Sequence, residues 1–184
     1  MEAAKHAQEN ERLAALRRYD ILDTPREADF DAIVNLASRI CEAPISVINL
    51  IDAERQWFKA EVGLGVRETP LETSICAHAI LEQDYVEIPD TLHDARMRDN
   101  ALCLGDPGLR FYAGALLRSP EGLPIGTLCV LDHKPRQLDE LQRLTLVTLA
   151  AQVVTQLNLR AALARKAVLR KEIDHRVKNS LQSV

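Results

Sequence analysis

Residues 110–132, RFYAGALLRSPEGLPIGTLCVLD, decide the fold. Two apolar runs flank Ser119-Pro120-Glu121-Gly122, whose proline and glycine are turn residues, so the segment predicts a hairpin. Upstream, APISVINLID (43–52) is a β-branched run that reads as a buried strand. RQWFKAEVG (55–63) follows after a short Asp-Ala-Glu turn, making a second hairpin. Trp57 and Phe58 are consecutive on that strand, which predicts one side chain inward and one outward. DYVEIPD (84–90) adds a short strand, and TSICAHAILEQ (73–83) reads as a short helix capped by Thr73 or Ser74. Residues 91–108, TLHDARMRDNALCLGDPG, form a polar connection without periodicity, of the kind that covers a ligand pocket.

Helical patterns frame these strands. Glu9 to Arg18 reads as a helix with Leu13 and Leu16 on one side. Pro25 ends it, because proline cannot continue a helix and pushes Thr24 away from the helical region. Thr24 also reads as the N-cap of the next helix, with Pro25 in its first position and Glu27 at capping-box spacing. That helix is expected to run to about Cys41, with Phe30, Ile33, Val34, Ala37 and Ile40 at helical spacing. From Gln137 to Val184 there is no proline or glycine, and Leu138, Leu141, Leu144 or Thr145, Leu149, Val153, Gln156, Leu157 and Leu163 keep a helical period. Such length predicts a helix that leaves the domain and pairs with a second copy of the chain. An antiparallel sheet framed by terminal helices is an α+β fold.

The 184 residues are enough for one domain with a good core and an extension. Their composition, 47% hydrophobic and 27% charged, is that of a soluble globular chain. No uninterrupted apolar run approaches the roughly 18 residues of a membrane span, and the charged N-terminus has no apolar signal core. Cys41, Cys76, Cys103 and Cys129 are scattered and form no C-x-x-C pair, which fits reduced thiols in a cytoplasmic setting and argues against structural zinc. The formal charge of -4 hides a basic stretch: residues 160–178 hold seven cations against Glu172 and Asp174. That stretch has no aromatic residue for base stacking, so it reads as a solvated helix face and not as a nucleic-acid surface.

APISVINLIDAERQWFKAEVGL, TSICAHAI and RFYAGALLRSPEGLPIGTLCVLD resemble the GAF domains at the front of bacterial signalling proteins. The resemblance spans about residues 10–157 and implies a GAF-like six-stranded antiparallel sheet, with helices on one face and a ligand-sized cavity on the other. Leu116 departs from it, since many relatives carry proline there. Cys76 and His78 lie two apart in SICAHAI. Some GAF domains attach a bilin through cysteine, but the longer phytochrome-type patterns are absent, so a structural role in a short helix is the stronger reading. A metal at Cys76 and His78 needs a further ligand, for which His93 and Cys103 are guesses. Arg110, Tyr112 and His93 are candidate pocket residues, with surface or edge packing the alternative.

The end of the chain, LRKEIDHRVKNSLQSV (169–184), poses a separate question. On a helix, Leu169, Ile173, Val177, Leu181 and Val184 form one apolar stripe, and His175 lies roughly 200° from it, facing water. An exposed imidazole is substantially neutral at pH 7 and has a nitrogen able to attack an electrophile. Glu172 sits one turn away, and Arg176 and Lys178 suit a phosphoryl charge. RKEIDHRVKNSLQ is similar to the phosphoacceptor box of sensor histidine kinases of the HWE and HisKA_2 type. The resemblance implies a phosphorylated His175 with Arg176, Lys178 and Asn179 in the box, and it leaves Glu172 or Asp174 as the base. It further implies ATP and Mg in a catalytic domain beyond these residues, a response regulator as partner and a homodimer through the helix.

The expectation is thus a GAF sensor over 1–157 and the start of a dimerisation helix over 158–184, belonging to a longer cytoplasmic kinase. A GAF ligand-binding regulatory module without kinase activity is the alternative. A cysteine-dependent methionine sulfoxide reductase is a third reading, disfavoured because the thiols are scattered.

Overall fold

The computed structural model describes residues 2–182, with the side chains of residues 2–178. Its order is α1 (Glu9–Arg17), α2 (Ala28–Ile40), β1 (Ile45–Ile51), β2 (Arg55–Val62), β3 (Glu68–Pro70), α3 (Ile75–Ala79), β4 (Tyr85–Ile88), α4 (Ala101–Leu104), β5 (Phe111–Arg118), β6 (Pro124–Asp132) and α5 (Glu140–Gln182). The six strands form one antiparallel sheet in the order β3-β2-β1-β6-β5-β4. The α+β expectation holds. The short edge strand β3 carries no alternating pattern and escapes a reading of the sequence alone.

Every residue of β1 is buried, and β5 and β6 are buried except at their last residues. Strands covered on both faces read as continuous apolar runs and not as alternating ones. Trp57 and Phe58 show the consequence: both are buried, Trp57 among the helices and Phe58 on the opposite face. The expectation of one outward side chain fails because a second layer covers that face.

The β5–β6 hairpin turns at Gly122, whose φ of +85° is a left-handed conformation that a side chain disfavours. Gly126 permits the β1–β6 pairing, since a Cβ there would stand 2.0 Å from the Asn49 carbonyl oxygen. The β1–β2 ladder breaks at Ile48/Asn49, whose partners are Ala60 and Phe58, so Lys59 has no partner of its own. This bulge aims Lys59 toward the helices. Its Nζ, fully buried, donates to the Thr24 hydroxyl, the Pro25 carbonyl and the Glu27 carboxylate at 3.1, 2.7 and 2.9 Å. Thr24 is therefore not the helix cap: its hydroxyl donates to the Ile21 carbonyl, and α2 starts at Ala28 behind Glu27.

The helix face of the sheet carries α1, α2 and the first half of α5. Leu146, Ala150, Val153, Leu157 and Ala161 form the packed stripe, spaced at helical intervals. Leu141 and Leu144, expected on that stripe, are 66% and 61% exposed, so α5 carries a second, outward apolar row. Arg160 ties α5 to the α1–α2 connection through the Glu27 carboxylate at 3.0 Å and the carbonyls of Tyr19 and Asp20. Beyond Ala161 the described side chains of α5 are all exposed. By length and composition alone Glu140–Lys178 holds a stretch apolar enough to cross a membrane, but the stripe through its first half packs on the sheet. A search for uninterrupted apolar runs misses that stretch, because its apolar residues are interleaved with polar ones.

Candidate functional site

The sheet face away from the helices carries a cavity of about 340 Å³. Its floor is Val47, Asn49, Phe58, Cys129 and Leu131, which the alternation of β1, β2 and β6 turns to this side. Its cover is the turn at Gly63–Val66, the start of α3, and the connection that was expected to roof a pocket, through Leu102, Pro107 and Leu109. That connection is three short helical turns and not open coil: Thr91–His93, Ala95–Met97 and α4. Asp90, Asp94 and Asn100 each cap one of them by accepting a backbone N–H, which is why so polar a segment is ordered.

The polar part of the cavity is one chain of hydrogen bonds. Asn49 and Ser74 both donate to Gln56 Oε1 at 2.7 Å, and Gln56 Nε2 donates to Thr69 Oγ1 at 2.6 Å. Ser74 also caps α3, accepting from the Ala77 N–H. Asn49 Oδ1 is buried without a hydrogen-bond partner. Because a buried polar atom left unmade is costly, it presents an acceptor for which a bound molecule is a natural partner. None of these residues is visible as a site in the sequence. The one signal is Asn49 itself, a polar residue in the middle of an apolar strand.

Of the expected ligand residues, Cys76 alone lines the cavity. Tyr112 lies fully buried behind it and donates its hydroxyl to Cys76 Sγ at 3.4 Å. Cys129 Sγ is 3.7 Å from Cys76 Sγ. Burial alone would push the Cys76 thiol up, but the polar groups around it, Cys129 first, bring it down to about 7. Cys129 is pushed well up by its bond to Cys76 and by burial.

His78 is half-buried outside the cavity lining, and His93 is exposed beside Asp90 at 3.3 Å. Arg110 does not reach the cavity. It clamps Asp90 through two bonds of 2.9 and 2.7 Å, holding that carboxyl below its usual range. With the Thr91 hydroxyl on the Leu109 carbonyl at 2.6 Å, it closes the two ends of the covering segment. Among the described residues no three His, Cys, Asp or Glu side chains gather as a metal set.

Glu172, Asp174, His175, Arg176 and Lys178 all lie on the exposed reach of α5, far along the helix from the cavity, and Arg176 donates to Glu172 at 2.6 Å. Leu169, Ile173 and Val177 are exposed as well. The side chains of Asn179, Leu181 and Val184 lie outside the described residues.

The GAF domain profile matches residues 25–157, and the chain belongs to the GAF domain family. A cyclic di-GMP phosphodiesterase of Pseudomonas aeruginosa is 41% identical over 128 residues, which are 70% of this chain. The chain covers 22% of that protein's length. Among solved structures, the GAF domain of an Acinetobacter phosphoenolpyruvate-protein phosphotransferase aligns with a TM-score of 0.61 and 22% identity, covering 83% of this chain and 96% of that one. A free methionine-R-sulfoxide reductase of Thermoplasma acidophilum aligns at 0.57 and 15%, covering 71% and 90%. Identities this low show the shared fold alone.

These findings correct the histidine-kinase reading. The curated relative that matches 70% of this chain is a phosphodiesterase and not a kinase. The likeness around His175 spans about 15 residues, whereas the relative matches 128.

Proposed function

We propose that this chain is a ligand-binding regulatory module: a GAF domain whose cavity takes a small, mainly apolar molecule and whose α5 carries the consequence outward. The observation that supports it best is the cavity itself, apolar on its walls with one unpartnered acceptor, Asn49 Oδ1, at its floor. The ligand is a compact molecule offering an N–H or O–H to that oxygen. The sheet that forms the floor packs its other face on α5, so occupancy and helix position share one rigid layer. The likeness to a cyclic di-GMP phosphodiesterase supports a setting in nucleotide second-messenger signalling, in which such a module adjusts an output unit. The outward row of Leu141 and Leu144 supports pairing of α5 with a second copy.

Benzamide, an apolar ring with an N–H donor, is a defined probe. In heteronuclear NMR spectra it is expected to shift the resonances of Val47, Asn49 and Leu131 in the wild type and to leave Val47→Phe unaffected. Shifts scattered over the surface, or equal shifts in Val47→Phe, would remove the ligand reading. For the dimer, Leu141→Glu with Leu144→Glu should halve the mass seen by light scattering; an unchanged mass rejects α5 pairing through this row.

A further inference from the structure

Four cysteines are buried in this domain, and they are not equivalent. Burial raises Cys41 to about 11 and raises Cys103 too, as expected of inert core thiols. Cys76 and Cys129 differ in geometry: their sulfurs face each other at 3.7 Å, and both line the cavity. One sits on α3 and the other on β6, so the pair spans the joint between the cavity's cover and its floor.

We infer that Cys76 and Cys129 are a redox-active dithiol, with Cys76 the thiol that reacts with a small hydroperoxide entering the cavity and Cys129 the thiol that resolves it to a disulfide. The Cys76 sulfur attacks the near oxygen of ROOH. An S–O bond forms, the O–O bond breaks, and RO⁻ takes up the proton that left the thiol. Sulfur is oxidised by two electrons to the sulfenic acid and the peroxide is reduced to ROH. Cys129 then attacks that sulfur. The S–S bond forms, the S–O bond breaks, and the departing hydroxide takes the Cys129 proton and leaves as water.

Three features of the site suit this chemistry. The Tyr112 hydroxyl donates to Cys76 Sγ and steadies the charged form of the attacking sulfur. The lowered Cys76 thiol beside a raised Cys129 fixes the order of events, since the group that ionises first attacks first and its partner keeps the proton needed for the second step. The sulfurs already face each other at 3.7 Å and close to roughly 2.0 Å when the bond forms. The disulfide would pin α3 onto β6 at the cavity wall and so alter what the cavity accepts. The assignment does not rest on the ligand proposal: the dithiol forms its bond whether or not another molecule uses the cavity.

The test is peptide mapping of the whole chain after hydrogen peroxide, without reductant. The expected result is loss of two hydrogens in mass, a single cross-link joining the Cys76 and Cys129 peptides, and two of the four free thiols lost in denaturant. Cys129→Ser should instead gain one oxygen on Cys76, trapped as a dimedone adduct, and Cys76→Ser should give neither product. Circular dichroism on both variants reports whether they fold. A cross-link through Cys41 or Cys103, oxidation of Cys76→Ser as fast as wild type, or no dimedone adduct in folded Cys129→Ser overturns the assignment.

Discussion

Trp57 and Phe58 are adjacent in sequence and belong to different interiors. Trp57 enters a core closed by α1, α2 and α5, among Leu117, Ile125, Leu128, Val153 and Leu146. Phe58 faces short turns, a hydrogen-bonded amide chain, two thiols and a cavity. One face of the sheet is built for density and the other for accommodation. Helices achieve the first because each offers a continuous apolar stripe; short capped turns cannot, and they leave room beneath.

The sharpest way to break this contrast is to remove volume on each side. Leu117→Ala, fully buried on the helix face, should cost about 3 kcal/mol in urea unfolding. Val47→Ala, at the cavity wall, should cost about 1 kcal/mol, because the space it leaves joins one that already exists. Equal losses would mean that the faces are packed alike. Adding volume reverses the test: Ala113→Leu among the helices should lose about 2 kcal/mol, while Val47→Leu should stay within about 1 kcal/mol of wild type.

A smaller effect belongs to the rim. Glu61 accepts the N–H groups of Leu64 and Gly65 and pairs with Arg26, fixing the turn over the cavity. Burial would raise its carboxyl, but the Gly65 N–H, Arg26 and the Leu64 N–H outweigh it, and the folded value lies below the ordinary 4.5. The folded state thus binds the proton more weakly than the unfolded chain. Its stabilisation is complete above 4.5 and fades as pH falls through the folded value. Glu61→Gln should lose about 1 kcal/mol at neutral pH, and the gap to wild type should close in acid-limb unfolding curves. The smallest change is expected on the exposed reach of α5, where His175→Ala should move unfolding by less than about 0.5 kcal/mol.

Much of the helix-face architecture was legible in the sequence, because it rests on periodicity. α2 follows from the spacing of its apolar residues, the two hairpins from apolar runs on either side of turn residues, and the length of α5 from a helical period without proline or glycine. The cavity face was not legible in the same way. Its members, Asn49, Gln56, Ser74 and Cys129, come from separate elements and meet only through sheet order, which no local pattern encodes. Arg110 and Tyr112 were singled out for their chemistry, yet one straps a loop and the other supports a thiol from behind. Glu27 misled for a related reason: its spacing from Thr24 fits a cap, but a buried lysine and Arg160 of α5 hold its carboxylate.

The bulge at Lys59 has a consequence for how the chain can change length. Trp57 and Ala60 point to the helices and Phe58 to the cavity, with Lys59 the extra residue between. Loss of that one codon would restore a regular ladder and leave every other residue of β2 on the face it now occupies. Position 59 is therefore a point at which β2 can shorten by one residue without exchanging the two interiors, at the loss of the three bonds that Lys59 makes.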